Sequence, residues 1–270
     1  MVTRDMAEEI EMRRKQLAVA LVTAAALTAG AAQAAQGTPS TTVGVQPSFF
    51  EGNFGTTSNV QIWYLPTYIK YRDRNAQLKL TIPYITVKSS GALVSGGTVI
   101  GKSGQGASQT SSGLGDIWLE GDYTLRGSGA MPDLVPYAKV KFGTASRSKG
   151  LGTGENDYEF GMGANAVLGT RLFPFAQVGY RVVGSPPNLA LRNIVTYEAG
   201  GSLRVAEGQF FTLMYSGHQS EQAGFQPTSD ALVAWNYDLR PGTGVQVFGD
   251  LGLSSGSPDY GVGLGAHVRF

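Results

Sequence analysis

The sequence predicts an all-β protein, an antiparallel transmembrane β-barrel of about twelve strands. Three observations point there. Glycine is abundant (38 of 270 residues) while charged residues make up only 15%, well below the usual quarter for a soluble globular chain. Apolar and polar residues alternate with a period of two through segments of about 9 to 14 residues, the spacing of a strand with two unlike faces. The connections between these segments alternate between short and long, as they do in a barrel whose turns are tight on one rim and free to grow on the other.

The N-terminus reads as an export signal over residues 1–34. Basic Arg13, Arg14 and Lys15 precede an apolar stretch from Leu17 to Ala29, and Ala32-Gln33-Ala34 supplies the small residues that a signal peptidase inspects. Residues 1–11 carry Asp5, Glu8, Glu9 and Glu11 ahead of the basic region, which places the expected translation start at Met12. The barrel domain is expected over 35–270, in the bacterial outer membrane after cleavage. With a mean hydropathy of -0.07 and no other apolar run of 18 residues, a bundle of transmembrane helices is excluded.

Twelve strands are expected in order: Val43 to Glu51, Ser58 to Tyr71, Ala76 to Val87, Gly113 to Arg126, Asp133 to Ala145, Glu155 to Leu168, Leu172 to Gly184, Asn193 to Ala206, Gln209 to His218, Thr228 to Arg240, Thr243 to Ser254 and Pro258 to Phe270. Clusters of Gly, Pro, Asp, Ser and Asn separate them. Short turns such as Glu207-Gly208 and Pro241-Gly242 alternate with longer loops such as Lys88 to Ser112 and Gln219 to Pro227, the short Ser255 to Ser257 being the exception. An even strand number leaves both termini on the periplasmic side.

Face parity sharpens the expectation. In the last strand Tyr260, Val262, Leu264, Ala266, Val268 and Phe270 share one face, and Asp259, Gly261, Gly263, Gly265, His267 and Arg269 the other. The same division separates Ile117, Leu119, Tyr123 and Leu125 from Asp116, Trp118, Glu120, Asp122, Thr124 and Arg126. A soluble barrel would turn the apolar face inward; the glycine-rich polar face and the terminal Phe270 favour the opposite sense, with apolar residues toward lipid.

Several motifs extend this reading. Gly113-Leu114-Gly115-Asp116-Ile117-Trp118-Leu119, Lys139-Val140-Lys141-Phe142-Gly143-Thr144-Ala145, the tract Lys149 to Tyr158, Gly179-Tyr180-Arg181-Val182-Val183-Gly184 and the close from Ser257 to Phe270 resemble the bacterial outer-membrane family of phenol-degradation meta-pathway proteins and transporters. The resemblance spans residues 43–270. Gly143 stands where that family often has Pro. The resemblance implies passage or binding of small organic compounds, aromatic ones among them, and carries over no catalytic residue. A last strand ending in Phe270 also resembles the signal read by the outer-membrane assembly machinery. The expected partners are therefore that machinery, the lipid bilayer and a small-molecule solute.

The polar face offers Asp116, Glu120, Asp122, Lys139, Lys141, Glu159, Arg181, Glu198, Arg204 and Asp250 as lumen-lining candidates. Folding adjacent strands brings Glu120 opposite Lys139 and is expected to bring Lys141 near Glu159, pairs that neutralise one another. Two readings follow. The charges brace a narrow, plugged barrel with a structural or adhesive role, or they line a polar path for small solutes. Twelve strands fall between filled eight-stranded barrels and open 16-stranded porins. The glycine-rich Lys88 to Ser112 loop is expected to lie at the surface and to gate such a path, with an inward constriction as the alternative.

Enzymatic chemistry has little support. A net charge of +1 gives no electrostatic case for nucleic acid, and the absence of Cys removes thiol catalysis and Cys-ligated zinc. Lys102-Ser103-Gly104-Gln105-Gly106 and the tract Gly150 to Gly154 lack the strand, loop and helix order of a phosphate-binding loop. His218 and His267, the two histidines of the chain, fall on separate strands, so no metal site is expected. Ser216 and His218, with Asp230 across a hairpin, carry the residue types of a serine hydrolase at an outer rim, a less favoured reading than a channel. No cofactor is implied.

Overall fold

The two-residue alternation builds the strands it implies. A computed structural model describes residues 39–95, 98–100, 108–128 and 131–270. The export signal expected over 1–34 and the Lys102 to Gly106 tract lie outside the described residues. Fourteen hydrogen-bonded segments form one closed antiparallel sheet, and two strands are each interrupted once, so the barrel has twelve strands. We number them β1 (Ser40–Val45 and Ser48–Gly52), β2 (Val60–Asp73), β3 (Ala76–Ser89), β4 (Gln109–Leu114 and Ile117–Tyr123), β5 (Asp133–Phe142), β6 (Asp157–Asn165), β7 (Leu172–Val182), β8 (Ile194–Ala206), β9 (Gln209–His218), β10 (Thr228–Arg240), β11 (Thr243–Gly252) and β12 (Tyr260–Arg269).

Each strand pairs with its chain neighbours, and β1 closes the ring on β12 through Val43 opposite Val268 and Phe49 opposite Val262. Proline cannot donate to a ladder, and the break in β1 falls at Pro47. The break in β4 falls at Gly115-Asp116, where Gly115 N–H bonds to Pro83 O at 2.9 Å and the register against β3 slips by one residue, as at a β-bulge. Two-residue turns at Glu207-Gly208 and Pro241-Gly242 place glycine at φ 67° and 79°, a left-handed backbone that other residues adopt at a cost.

The faces sort as a membrane barrel requires. Large apolar side chains point outward and stay exposed, among them Leu213 at 62%, Trp63 at 59% and Leu264 at 57%, while Lys141 is 0% and Glu159 2% exposed inside. An outer surface of this kind is stable against hydrocarbon and not against water, so the strands span a bilayer. Outward aromatics gather toward the long-loop rim, where Phe49 lies 4.6 Å from Trp63 and Phe160 5.9 Å from Tyr180 between ring centroids. A second set, including Trp235 stacked on Tyr237 at 5.7 Å, marks the short-turn rim. Two such belts are the interface girdles of membrane barrels.

The abundance of inward glycine has a local cause. Tyr137 on β5 lies across Gly161 on β6 and Gly179 on β7, Phe248 on β11 lies on Gly263 of β12, and Tyr68 on β2 lies on Gly44 of β1; a Cβ at any of these glycines would collide with the ring beside it. Glycine lets the neighbouring strand's aromatic ring lie flat against the wall instead of projecting across the interior.

Two expectations need correction. The segment around Ala92 to Ile100 was expected at the surface; instead Ala92, Val94, Val99 and Ile100 are buried, the first three in a cluster with inward-facing Ile62, Ile85 and Val87 and with Leu151. Val94 N–H also bonds to Gly150 O at 3.0 Å. These residues are apolar and find hydrocarbon partners in the mouth that water cannot provide. Gln109 to Ser112, expected as loop, extend β4, where a wholly polar stretch shows no alternation to betray a strand.

Candidate functional site

The charged side chains of β4 to β7 form two rows on the interior wall. In the row nearer the long loops, Lys141 Nζ lies 2.7 Å from Asp157 and 3.7 Å from Asp116. The second row runs across four strands and into the loop after β9. Lys139 Nζ stands 3.7 Å from Glu120 and 3.5 Å from Glu159, Arg181 Nε donates to Glu159 Oε2 at 2.8 Å, and Arg181 Nη1 donates to Glu221 Oε1 at 3.4 Å. Charges thus alternate in sign from Glu120 to Glu221. Tyr137 Oη and Thr196 Oγ1 also donate to Glu159, at 2.9 and 3.2 Å.

Glu120 faces Lys139 in register, whereas the expected approach of Lys141 to Glu159 does not occur. Lys141 pairs with Asp157 and Lys139 with Glu159. The hairpin closes two residues tighter than expected, where Gly143 N–H bonds to Asn156 Oδ1 at 2.9 Å; a shift of two keeps every side chain on its face.

The remaining candidates are dispersed. Asp122, toward the short-turn rim, accepts from Gln77 Nε2 at 2.8 Å, and Gln77 accepts from Arg72 Nη2 at 2.6 Å. Arg204 lies near the same rim, its guanidinium 5.6 and 5.3 Å from the ring centroids of Phe173 and Phe210. Glu198 and Asp250 meet Glu159 and Arg181 at a cavity of about 230 Å³ in the long-loop half of the barrel. Glu221 was not anticipated, because a loop glutamate carries no parity. Its burial pushes the carboxyl pKa up, and the Arg181 guanidinium partly counters this.

The cavity is lined by apolar side chains, Phe50, Phe54, Ile62, Met214, Leu232 and Phe248, and by two polar groups: Glu159, Gln177, Arg181 and Glu198 on β6 to β8, and Asp230 and Asp250 on β10 and β11 beside Leu232 and Phe248. The apolar part of this lining lies outside the lumen residues expected from the sequence. A signal was present, since Leu232 and Phe248 share parity with Asp230 and Asp250 two residues away.

Ser216, His218 and Asp230 border the same cavity. Ser216 faces Asp230 across the β9–β10 pair. Nucleophilic catalysis needs a hydroxyl bonded to an imidazole that a third group orients. Here His218 Nδ1 lies 2.8 Å from Gln219 O, and among the described residues no hydrogen bond joins His218 to Ser216 or to Asp230.

A closed twelve-stranded barrel with an apolar outer band and a charged, cavitied interior defines the class as a transmembrane β-barrel of the outer-membrane type. Solved structures share that fold. The COG4313 outer membrane channel from Pseudomonas putida F1 superimposes with a TM-score of 0.65 at 15% identity, covering 87% of this chain and 96% of that one. The KdgM porin gives a TM-score of 0.52 at 9% identity over 85% of this chain and 99% of that one. The translocator domain of the autotransporter NalP from Neisseria meningitidis gives 0.55 at 10% identity over 99% and 98%. No protein-family model and no curated protein sequence matches the chain.

Proposed function

We propose that the protein is an outer-membrane channel or transporter for small organic solutes, single-ring aromatic compounds among them. The observation that carries this reading is the two-sided cavity of about 230 Å³ inside a lipid-facing barrel. An apolar cavity of roughly 150 Å³ takes benzene, so the space suits a one-ring molecule and is small for an oligosaccharide. Apolar surface opposite a few placed polar groups is the general form of a small-molecule site. Glu159, Arg181, Glu198 and Asp250 bound the solute path, while Asp116, Glu120, Asp122, Lys139, Lys141 and Arg204 act as bracing and electrostatic lining along it. The resemblance to phenol-degradation meta-pathway proteins supports the aromatic cargo, and the fold shared with a channel and a porin supports passage. Buried Ala92, Val94, Val99 and Ile100, from the loop after β3, are the residues that would control entry.

Planar-bilayer recording of the purified barrel tests this reading. Discrete current steps in potassium chloride, with added phenol altering step amplitude or flicker, are expected. A trace that stays closed at every voltage would instead indicate a plugged structural barrel.

A further inference from the structure

Two carboxylates on the cavity wall are uncompensated. Asp230 on β10 and Asp250 on β11 are diagonal neighbours across the pair in which Leu232 faces Asp250, and both border the cavity. Among the described residues no cation lies within ion-pair distance of either. Asp230 Oδ1 has no hydrogen-bond partner there. This contrasts with the opposite wall, where each carboxylate of the ladder meets Lys139 or Arg181. Arg181, the cation of the cavity lining, is committed to Glu159 and Glu221.

A second observation points at a ligand independently. Gln177 is 7% exposed and borders the cavity, yet its Oε1 has no hydrogen-bond partner. A buried amide oxygen without a donor costs free energy unless something supplies one. On the side of the two aspartates lie the rings of Phe50 and Phe248, held against the wall by Gly261 and Gly263. Carboxylates, an amide oxygen and aromatic faces all attract positive charge, and the rings also attract an apolar body.

Building on the proposed channel function, we infer that this cavity is a binding site for a small organic cation, an ammonium group carried on a one-ring or comparably sized apolar body. The ammonium sits against Asp230 and Asp250, the body lies on Phe50 and Phe248, and Gln177 Oε1 offers a further acceptor elsewhere on the same lining. A metal ion fits less well, since among the described residues no group of three or more His, Cys, Asp or Glu is placed to hold one.

The test is equilibrium binding to the detergent-solubilised barrel by calorimetry, at fixed ionic strength, with phenyltrimethylammonium, tetramethylammonium and benzoate as probes. Phenyltrimethylammonium is expected to bind roughly tenfold or more tightly than either of the others, because only it offers both a charge to the carboxylates and a ring to Phe50 and Phe248. Asp230→Asn with Asp250→Asn should remove that preference while leaving the heat-modifiable migration of the folded barrel unchanged. Phe248→Leu should weaken phenyltrimethylammonium and leave tetramethylammonium alone. Benzoate binding as tightly as the cation, equal binding of the two ammonium ions, or no measurable binding of any probe would overturn the assignment, and the three probes decide this on the unsubstituted protein alone. Because binding is read without current, conductance in bilayers with no cation preference in the calorimeter defeats this inference and leaves the channel standing; the reverse result defeats the channel and leaves the site.

Discussion

Lys141 shows how much the interior depends on single residues. Its ammonium is wholly buried between Asp116 and Asp157. Removing one partner from a buried ionic group strands the others, at a cost of about 3–5 kcal/mol. Lys141→Met should therefore lower the unfolding free energy of the detergent-solubilised barrel by that order, read from a shift of the denaturant midpoint to lower concentration. Adding Asp116→Asn and Asp157→Asn to it should recover most of the loss, because an uncharged set has no stranded carboxylate. Gly263 tests a different kind of dependence. Alanine there places a methyl group against the Phe248 ring, which has to swing off the wall toward the cavity. We expect a destabilisation of about 1–3 kcal/mol, as for overpacked cores, and reduced bilayer conductance; unchanged conductance would show that Phe248 does not bound the path.

Strands bring these residues together by parity and register, and the two were not equally legible. Parity could be read from the chain because alternation is local: Leu264 and Gly263 take opposite faces whatever their neighbours do. Register was harder, since the distance that Lys141 travels to its acid depends on a hydrogen bond from Gly143 to Asn156 in a loop without periodicity. The inward packing of Ala92, Val94, Val99 and Ile100 ran against the expected surface loop because Gly and Ser surround these few apolar residues. The cavity was not legible because its apolar lining is shared among β1, β2, β9, β10, β11 and the loop bearing Phe54, with one or two residues from each. Leu264 points to lipid in the middle of β12, and Leu264→Arg should destabilise the barrel in lipid vesicles by about 2–4 kcal/mol, measured by urea unfolding. The same substitution at outward Tyr260, at the strand end, should cost much less.

At the scale of the whole molecule, the barrel divides into unlike halves. The long-loop half holds the ion-pair ladder, the cavity and the packed mouth segment. Toward the short turns the interior carries a buried amide chain, Gln46, Gln246 and Asn236, joined by hydrogen bonds of 3.1 and 2.7 Å. All of this presumes that the apolar face meets lipid and the charged face does not. The chain has no native cysteine, so spin labels can be attached one at a time at Leu213 and Leu264, outside, and at Gln177 and Asp250, inside, and their exposure compared in vesicles. The account predicts collisions with dissolved oxygen at the first two and with a water-soluble nickel chelate at the second two. Nickel access at Leu213 and Leu264, with oxygen favoured at Gln177 and Asp250, would contradict it.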